Sequence, residues 1–150
     1  MIKRKMIDEF FSSKKLAVVG VSRNGKKFGN AVFKELRAKG FNVFPVNSNT
    51  KKINDEECFP NLNMLPERVE GAVIVVPSYE TERVVRDALT AGINNIWMQK
   101  GSESEEAISF CVNNRMNVIY GECILMFAEP TKSFHRFHRN INKFFRKLPK

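Results

Sequence analysis

Short apolar runs alternate along this chain with longer segments in which apolar residues recur every three or four positions. Residues 16–21, LAVVGV, are apolar and rich in β-branched side chains, as in a strand buried on both faces. Residues 29–39 place Val32, Phe33 and Leu36 at helical spacing, and Gly40 suits the left-handed position just past a helix end. Residues 42–46 read as a second short strand and 47–56 as a polar loop. A brief strand over about 57–59 and a turn at Pro60 follow. Residues 72–76 are another buried strand, stopped by Pro77, and 79–91 a helix with Val84, Val85, Ala88 and Leu89 on one face. Residues 95–98 form a strand. Ser102 and Glu105 have the S-x-x-E spacing of a capping box and predict a helix to about Asn114. Residues 117–120 are the last strand, ended by Gly121. A short helix over about 3–13 precedes the whole.

Strand, helix, strand, repeated, implies parallel pairing, because each crossover carries the chain back along the sheet. The expected fold is α/β: a doubly wound parallel sheet of about five to six strands with helices on both faces, and right-handed crossovers. In such a sheet a ligand binds at the carboxyl ends of the strands, where the strand order reverses. Residues 20–22, 46–47, 76–78, 98–101 and 121–123 lie at those ends. They are scattered in sequence and converge if the fold holds.

One hundred and fifty residues, 43% hydrophobic and 27% charged, suit one soluble domain. No apolar run approaches the roughly 20 residues of a membrane span. No apolar block follows the basic N-terminus as a secretory signal would require. Three cysteines without C-x-x-C spacing argue against a disulfide framework or zinc site, and for a cytoplasmic setting. The net charge is +9, but residues 131–150 hold seven basic residues and no acidic one. The rest of the chain is close to neutral, so the overall charge does not argue for nucleic acid as a partner. The tail carries Phe134, Phe137, Ile141, Phe144, Phe145 and Leu148 at spacings of three and four, which predicts a basic amphipathic helix after a domain over residues 1–130. Such a helix suits docking on the domain, a homodimer or a partner protein; an anionic membrane or nucleic acid is the alternative.

The first strand leads into VGVSRNGKKFGN, which is not the G-x-G-x-x-G of a NAD enzyme. Gly20 can turn the chain sharply, and Gly29 can let the following helix approach closely. Ser22 offers a hydroxyl to a phosphate, and Arg23, Lys26 and Lys27 add positive charge. Gly20 and Gly29 equally suit a purely structural turn. At the end of the second strand NAD enzymes place Asp or Glu on the ribose hydroxyls. Here the residue is the neutral Asn47, with no arginine beside it for NADP.

The blocks VGVSRNGKKFGN, FNVFPVNSN, VIVVPS, IWMQKGSESEEA and IYGECILM, in that order over about 13–127, resemble the CoA-binding domain family. Its members are small stand-alone relatives of the nucleotide-binding domain of the succinyl-CoA synthetase alpha subunit. The resemblance implies a Rossmann-like fold and coenzyme A or acyl-CoA as ligand. It assigns the CoA phosphates to Gly20, Ser22, Arg23 and the Phe28, Gly29, Asn30 corner. The family's V-N-P and V-P-P blocks are matched by Val46, Asn47, Ser48 and by Val76, Pro77, Ser78, each with serine for the last proline. Its W-x-Q-x-G block is matched by Trp97, Gln99 and Gly101.

Binding chemistry is thus legible and catalytic chemistry is not. His135 and His138 lie in the tail, and no Ser–His–Asp set or H-E-x-x-H is present. Glu103, Glu105 and Glu106 sit where a helix dipole favours them. Cys123 stands at the crevice end of the last strand, where exchange with CoA disulfide would give a mixed disulfide and release CoA thiolate; as a small hydrophobe it needs no such role. Cys58 and Cys111 read as packing residues. Trp97 and Met98 read as core, Gln99 as a polar contact, and Tyr79 fits either. The expected function is non-catalytic binding of CoA or acyl-CoA, as sensor or carrier. A NAD(P)-binding redox regulator or dehydrogenase, and a scaffold acting through the tail, are the alternatives.

Overall fold

The structure, a computed structural model, describes residues 4–129. The basic helix expected over 131–150 lies outside them. The element order is α1 (Arg4–Phe11), β1 (Lys15–Val19), α2 (Phe28–Ala38), β2 (Asn42–Val46), β3 (Lys52–Ile53), β4 (Glu56–Glu57), a 3₁₀ turn (Leu62–Met64), β5 (Gly71–Ile74), α3 (Ser78–Thr90), β6 (Asn95–Gln99), α4 (Glu105–Asn113), β7 (Asn117–Glu122) and a second 3₁₀ turn (Ile124–Met126). Five strands form one parallel sheet in the order β2-β1-β5-β6-β7. The order reverses between β1 and β5, so the carboxyl ends of those two strands open the crevice.

The period of two along each strand sorts the core into two layers. Leu16, Val18, Val73, Trp97 and Ile119 point to the face covered by α1 and α2, where Phe10, Val32 and Leu36 meet them. Ala17, Val19, Ala72, Ile74, Ile96 and Met98 point to the face covered by α3 and α4, against Val84, Val85, Ala88 and Cys111. Trp97 and Met98 are both fully buried, as expected of core residues. Asn117 Nδ2 donates to the Met6 carbonyl at 3.0 Å and ties α1 to the far edge.

The capping box needs correction. The helix starts two residues later than expected, and its N-cap is Ser104, whose Oγ accepts from the Ala107 N–H at 3.1 Å. Ser102 is buried instead, and its carbonyl accepts from Thr81 Oγ1 of α3. The expected polar loop 47–56 and the brief strand expected over about 57–59 give way to the small β3–β4 hairpin, whose second strand is Glu56–Glu57 and whose turn holds Asn54 and Asp55 at positive φ. Asn and Asp tolerate that region because short polar side chains bond locally to the backbone.

Arg37 fastens this hairpin to α2. Its guanidinium grips the Glu56 carboxylate from two nitrogens, one at 2.6 Å, and donates to the Val43 carbonyl at 2.9 Å. It also lies over the Phe33 ring, 4.3 Å from the centroid. The guanidinium holds the Glu56 carboxyl below its ordinary range. A depressed carboxylate stabilises the fold above its unfolded pKa and loses that contribution as pH falls through the folded one. The pair is about 40% exposed, so Arg37→Ala is expected to cost only about 1 kcal/mol. Urea titrations between neutral pH and about pH 3 check this: the wild-type stability curve falls more steeply on the acid side than the variant's.

Candidate functional site

The β1–α2 connection is a loop whose own side chains hold its shape. Asn30, buried in the first turn of α2, clamps Ser22 from both sides: Oδ1 accepts the Ser22 N–H at 2.9 Å and Nδ2 donates to the Ser22 carbonyl at 2.8 Å. Ser22 Oγ donates to Asn24 Oδ1 at 2.7 Å, and the same oxygen accepts the Lys26 N–H at 2.9 Å. Ser22 therefore does not present a free hydroxyl to the crevice, contrary to the expectation from sequence. Asn24 is a residue the sequence reading overlooked. Its spacing from Ser22 and Lys26, two either way, is the local signature of a side chain closing a turn on the backbone.

Beyond this loop, α2 begins without a cap. Its N-cap is Lys27, whose side chain cannot accept a hydrogen bond, and its first turn has no acidic residue. The amide N–H groups of Phe28 and Gly29 precede the helix ladder and have no partner in it. α3 likewise lacks a side-chain cap, its N-cap being Pro77, but its first turn holds the acidic Glu80. By contrast α4, away from the switch point, has Ser104 as a cap. Uncapped helix starts carry positive dipole ends and free donors, which is what an anionic group needs.

Both starts open on a cavity of about 540 Å³ at the β1/β5 switch point. Among the residues expected from sequence, Gly20, Ser22, Lys27, Phe28 and Gly29 line it from the first turn. Asn47, Pro77 and Gly101 line it from the ends of β2, β5 and β6. Arg23, Lys26, Asn30, Ser78, Gln99 and Cys123 do not reach its wall. Lys27 and the unforeseen Lys100 make no ion pair among the described residues. The far wall is α3: Glu80, Arg83, Val84 and Asp87 face inward, and Arg83 is held by Glu80 at 3.1 Å and Asp87 at 3.8 Å. In the sequence these charges look like those of any solvent-facing helix, and no spacing sets them apart. Leu62, Val46, Val75 and Val76 supply an apolar floor.

Two expected contacts are engaged elsewhere. Asn47 Nδ2 donates to the Val21 carbonyl at 2.7 Å, and its Oδ1 accepts the Asn49 N–H at 2.7 Å. Its side chain braces the crevice rather than offering itself to a ribose. Gln99 is buried, and its Oε1 accepts the Ile124 N–H at 3.0 Å. Cys123 is partly exposed. Cys58 and Cys111 are buried, and desolvation pushes their thiols up to about 11 and about 12, consistent with packing residues.

A doubly wound α/β sheet whose switch point gathers two uncapped helix starts, two unpaired ammonium groups and an apolar floor is a nucleotide-class ligand-binding protein. The family model described as "CoA binding domain" matches residues 14–129, and the chain belongs to that family. It is 27% identical over 130 residues to the acetate–CoA ligase [ADP-forming] II subunit alpha of Pyrococcus furiosus, over 79% of this chain and 28% of that protein. It is 32% identical over 100 residues to acetate–CoA ligase [ADP-forming] II of Archaeoglobus fulgidus, over 65% of this chain and 15% of that protein. The chain thus spans under a third of the length of these curated relatives. Among solved structures it resembles a conserved hypothetical protein from Pyrococcus furiosus, with 39% identity and a TM-score of 0.70 over 74% of this chain and 96% of that one. Among the described residues no helix is long and apolar enough to cross a membrane.

Proposed function

We propose that this chain binds coenzyme A or an acyl-CoA in the switch-point crevice and acts there as a carrier or sensor without catalysing a reaction. One observation carries the ligand class: the uncapped starts of α2 and α3 and the unpaired Lys27 and Lys100 meet at a single cavity. CoA carries a pyrophosphate and a separate 3′-phosphate, so two anion-accepting points suit it. Asn47 argues against NAD, because the carboxylate that would hold a ribose is absent and the amide is engaged with the backbone.

The non-catalytic part rests on how the wall is paired. The hydroxyl of the phosphate loop donates to Asn24, and the carboxylates of α3 are paired with Arg83. Each of these groups has an internal partner and is held as structure. Calorimetry with CoA, acetyl-CoA, NADH and NADPH tests the proposal. CoA and acetyl-CoA are expected to bind in the micromolar range or tighter, and the nicotinamides at least about tenfold more weakly. Preference for NADH or NADPH, or no heat with any of the four, would rule the proposal out. Consumption of acetyl-CoA by the protein alone would remove its non-catalytic part.

A further inference from the structure

Three buried side chains from two elements all spend a hydrogen bond on one short stretch of backbone that starts at the last residue of β7. Trp97 Nε1 of β6 donates to the Glu122 carbonyl at 3.0 Å. Gln99 Oε1, also of β6, accepts the Ile124 N–H at 3.0 Å. Lys39 Nζ, at the end of α2, donates to the Ala128 carbonyl at 3.0 Å. Trp97 and Lys39 are fully buried and Gln99 is 4% exposed. A buried ammonium is costly: burial pushes the Lys39 amine down from its ordinary range, Glu35 at 3.8 Å, Cys123 and Glu129 oppose that, and the group has no place in the crevice. It lies instead under the 122–128 segment.

That segment also covers the aromatic layer. Phe127 packs on Trp97 with centroids 5.9 Å apart, and Ile124 is fully buried. At its head, Gly121 adopts φ +78° and the β6–β7 register slips between Met98 and Gln99. Past this irregularity Gln99 still pairs with Glu122, the last residue of β7, and beyond Glu122 side chains take over from the ladder. The other end of Gln99 leads to the crevice. Lys100, Gly101 and Ser102 line it, the Ser102 N–H donates to the Gln99 carbonyl at 2.7 Å, and the Ser102 carbonyl is tied to Thr81 of α3.

We infer that residues 122–128 form a strap that seats and lifts as a unit, pinned by Lys39 and Gln99, and that a ligand in the crevice holds it seated through the Gln99–Ser102 turn. The coupling to a ligand rests on the CoA reading above; the pinning of the strap does not. Cys123, partly exposed and within the strap, reports its state, since the other two thiols are buried in the two core layers. Lifting the strap frees Cys123 and uncovers the Trp97 ring, which is the sole tryptophan.

The test is the rate of iodoacetamide labelling at Cys123, read by intact mass and peptide mapping on the full chain. Gln99→Met keeps the length of the side chain and removes the acceptor of the Ile124 N–H, so labelling is expected to rise about tenfold, in line with leaving one buried donor unpaired. Lys39→Met also removes a charge that interacts with Cys123 directly and is therefore read by Trp97 emission. Trp97 emission should shift to the red. Saturating acetyl-CoA, which has no free thiol, is expected to slow wild-type labelling about threefold or more. Should Gln99→Met misfold, hydrogen exchange at the Ile124 amide of the wild type replaces it. Wild-type labelling rates in a folded Gln99→Met variant, unshifted Trp97 emission in a folded Lys39→Met variant, or Ile124 exchange no slower than a free loop, overturn the strap. Calorimetric binding of acetyl-CoA without any slowing overturns the coupling and leaves the CoA reading standing. Absence of binding removes the CoA reading and the coupling together, while the variants still decide the strap.

Discussion

Gly29→Ala and Gly20→Ala are each expected to destabilise the protein by about 3 kcal/mol or more, at the upper end of overpacking costs. A Cβ on Gly29 would stand 2.3 Å from the Gly20 carbonyl oxygen, and one on Gly20 would stand 2.0 Å from the Val75 carbonyl oxygen. Both obstacles are backbone, so no rotamer change relieves them. They are two successive contacts, in which α2 leans on the end of β1 and β1 leans on the end of β5. Only Gly20 has an additional conformational reason, a φ of +117°. Gly29 has none, so its effect isolates the steric part. Gly121→Ala supplies the opposite control, because a Cβ there meets nothing within 4 Å while φ is +78°. It is expected to cost about 1–2 kcal/mol from backbone strain alone. Urea midpoints of the three variants decide it. A Gly29 variant no less stable than the Gly121 one would mean that the helix can retreat from the turn.

These same glycines show what the sequence made legible. The run 16–21 and the helix 29–39 predict that a close turn lies between them, and Gly20 and Gly29 stand where close approach is needed. The parallel order and the crevice follow from periodicity, because burial on both faces makes each strand a continuous apolar run. Side-chain engagement did not follow. Ser22, Asn47 and Gln99 each sit at a strand end with a polar group, and composition cannot say whether that group faces a ligand or a neighbouring amide. The answer depends on contacts between residues distant in sequence: Gln99 with Ile124, and Asn47 with Val21. Local competition also decided the helix start at 104 rather than 102. Two serines were available for the cap, and Thr81 of α3 took the carbonyl of the first. Lys100 and the α3 wall were missed for a different reason. They are ordinary surface charges in the sequence and become site residues only once the cavity brings their elements together.

Lys27→Glu is expected to weaken CoA binding by about tenfold or more, the value of one charge-assisted contact to a phosphate, and Lys27→Glu with Lys100→Glu by about a hundredfold. Folding should respond in the opposite sense at Lys27. That residue is the N-cap of α2, and a carboxylate at a helix start interacts favourably with its dipole, so the single variant should be as stable as the wild type or slightly more so. A loss of binding accompanied by unchanged or higher melting temperature therefore separates the ligand contact from damage to the fold. Salt supplies a second axis. Exposed charges are screened over roughly 8–10 Å at physiological ionic strength, so wild-type affinity should fall with added salt and the double variant should respond less. Lys26→Glu is the control: Lys26 carries the same charge one residue away, but its side chain does not line the cavity. Its effect should be several-fold smaller. If Lys26→Glu and Lys27→Glu weaken CoA equally, the loop acts as a diffuse positive field, and the uncapped start of α2 is not the point at which a phosphate is held. If only Lys27 and Lys100 matter, the anion lies between the ends of β1 and β6, which places it over the two helix starts and across the switch point of the sheet.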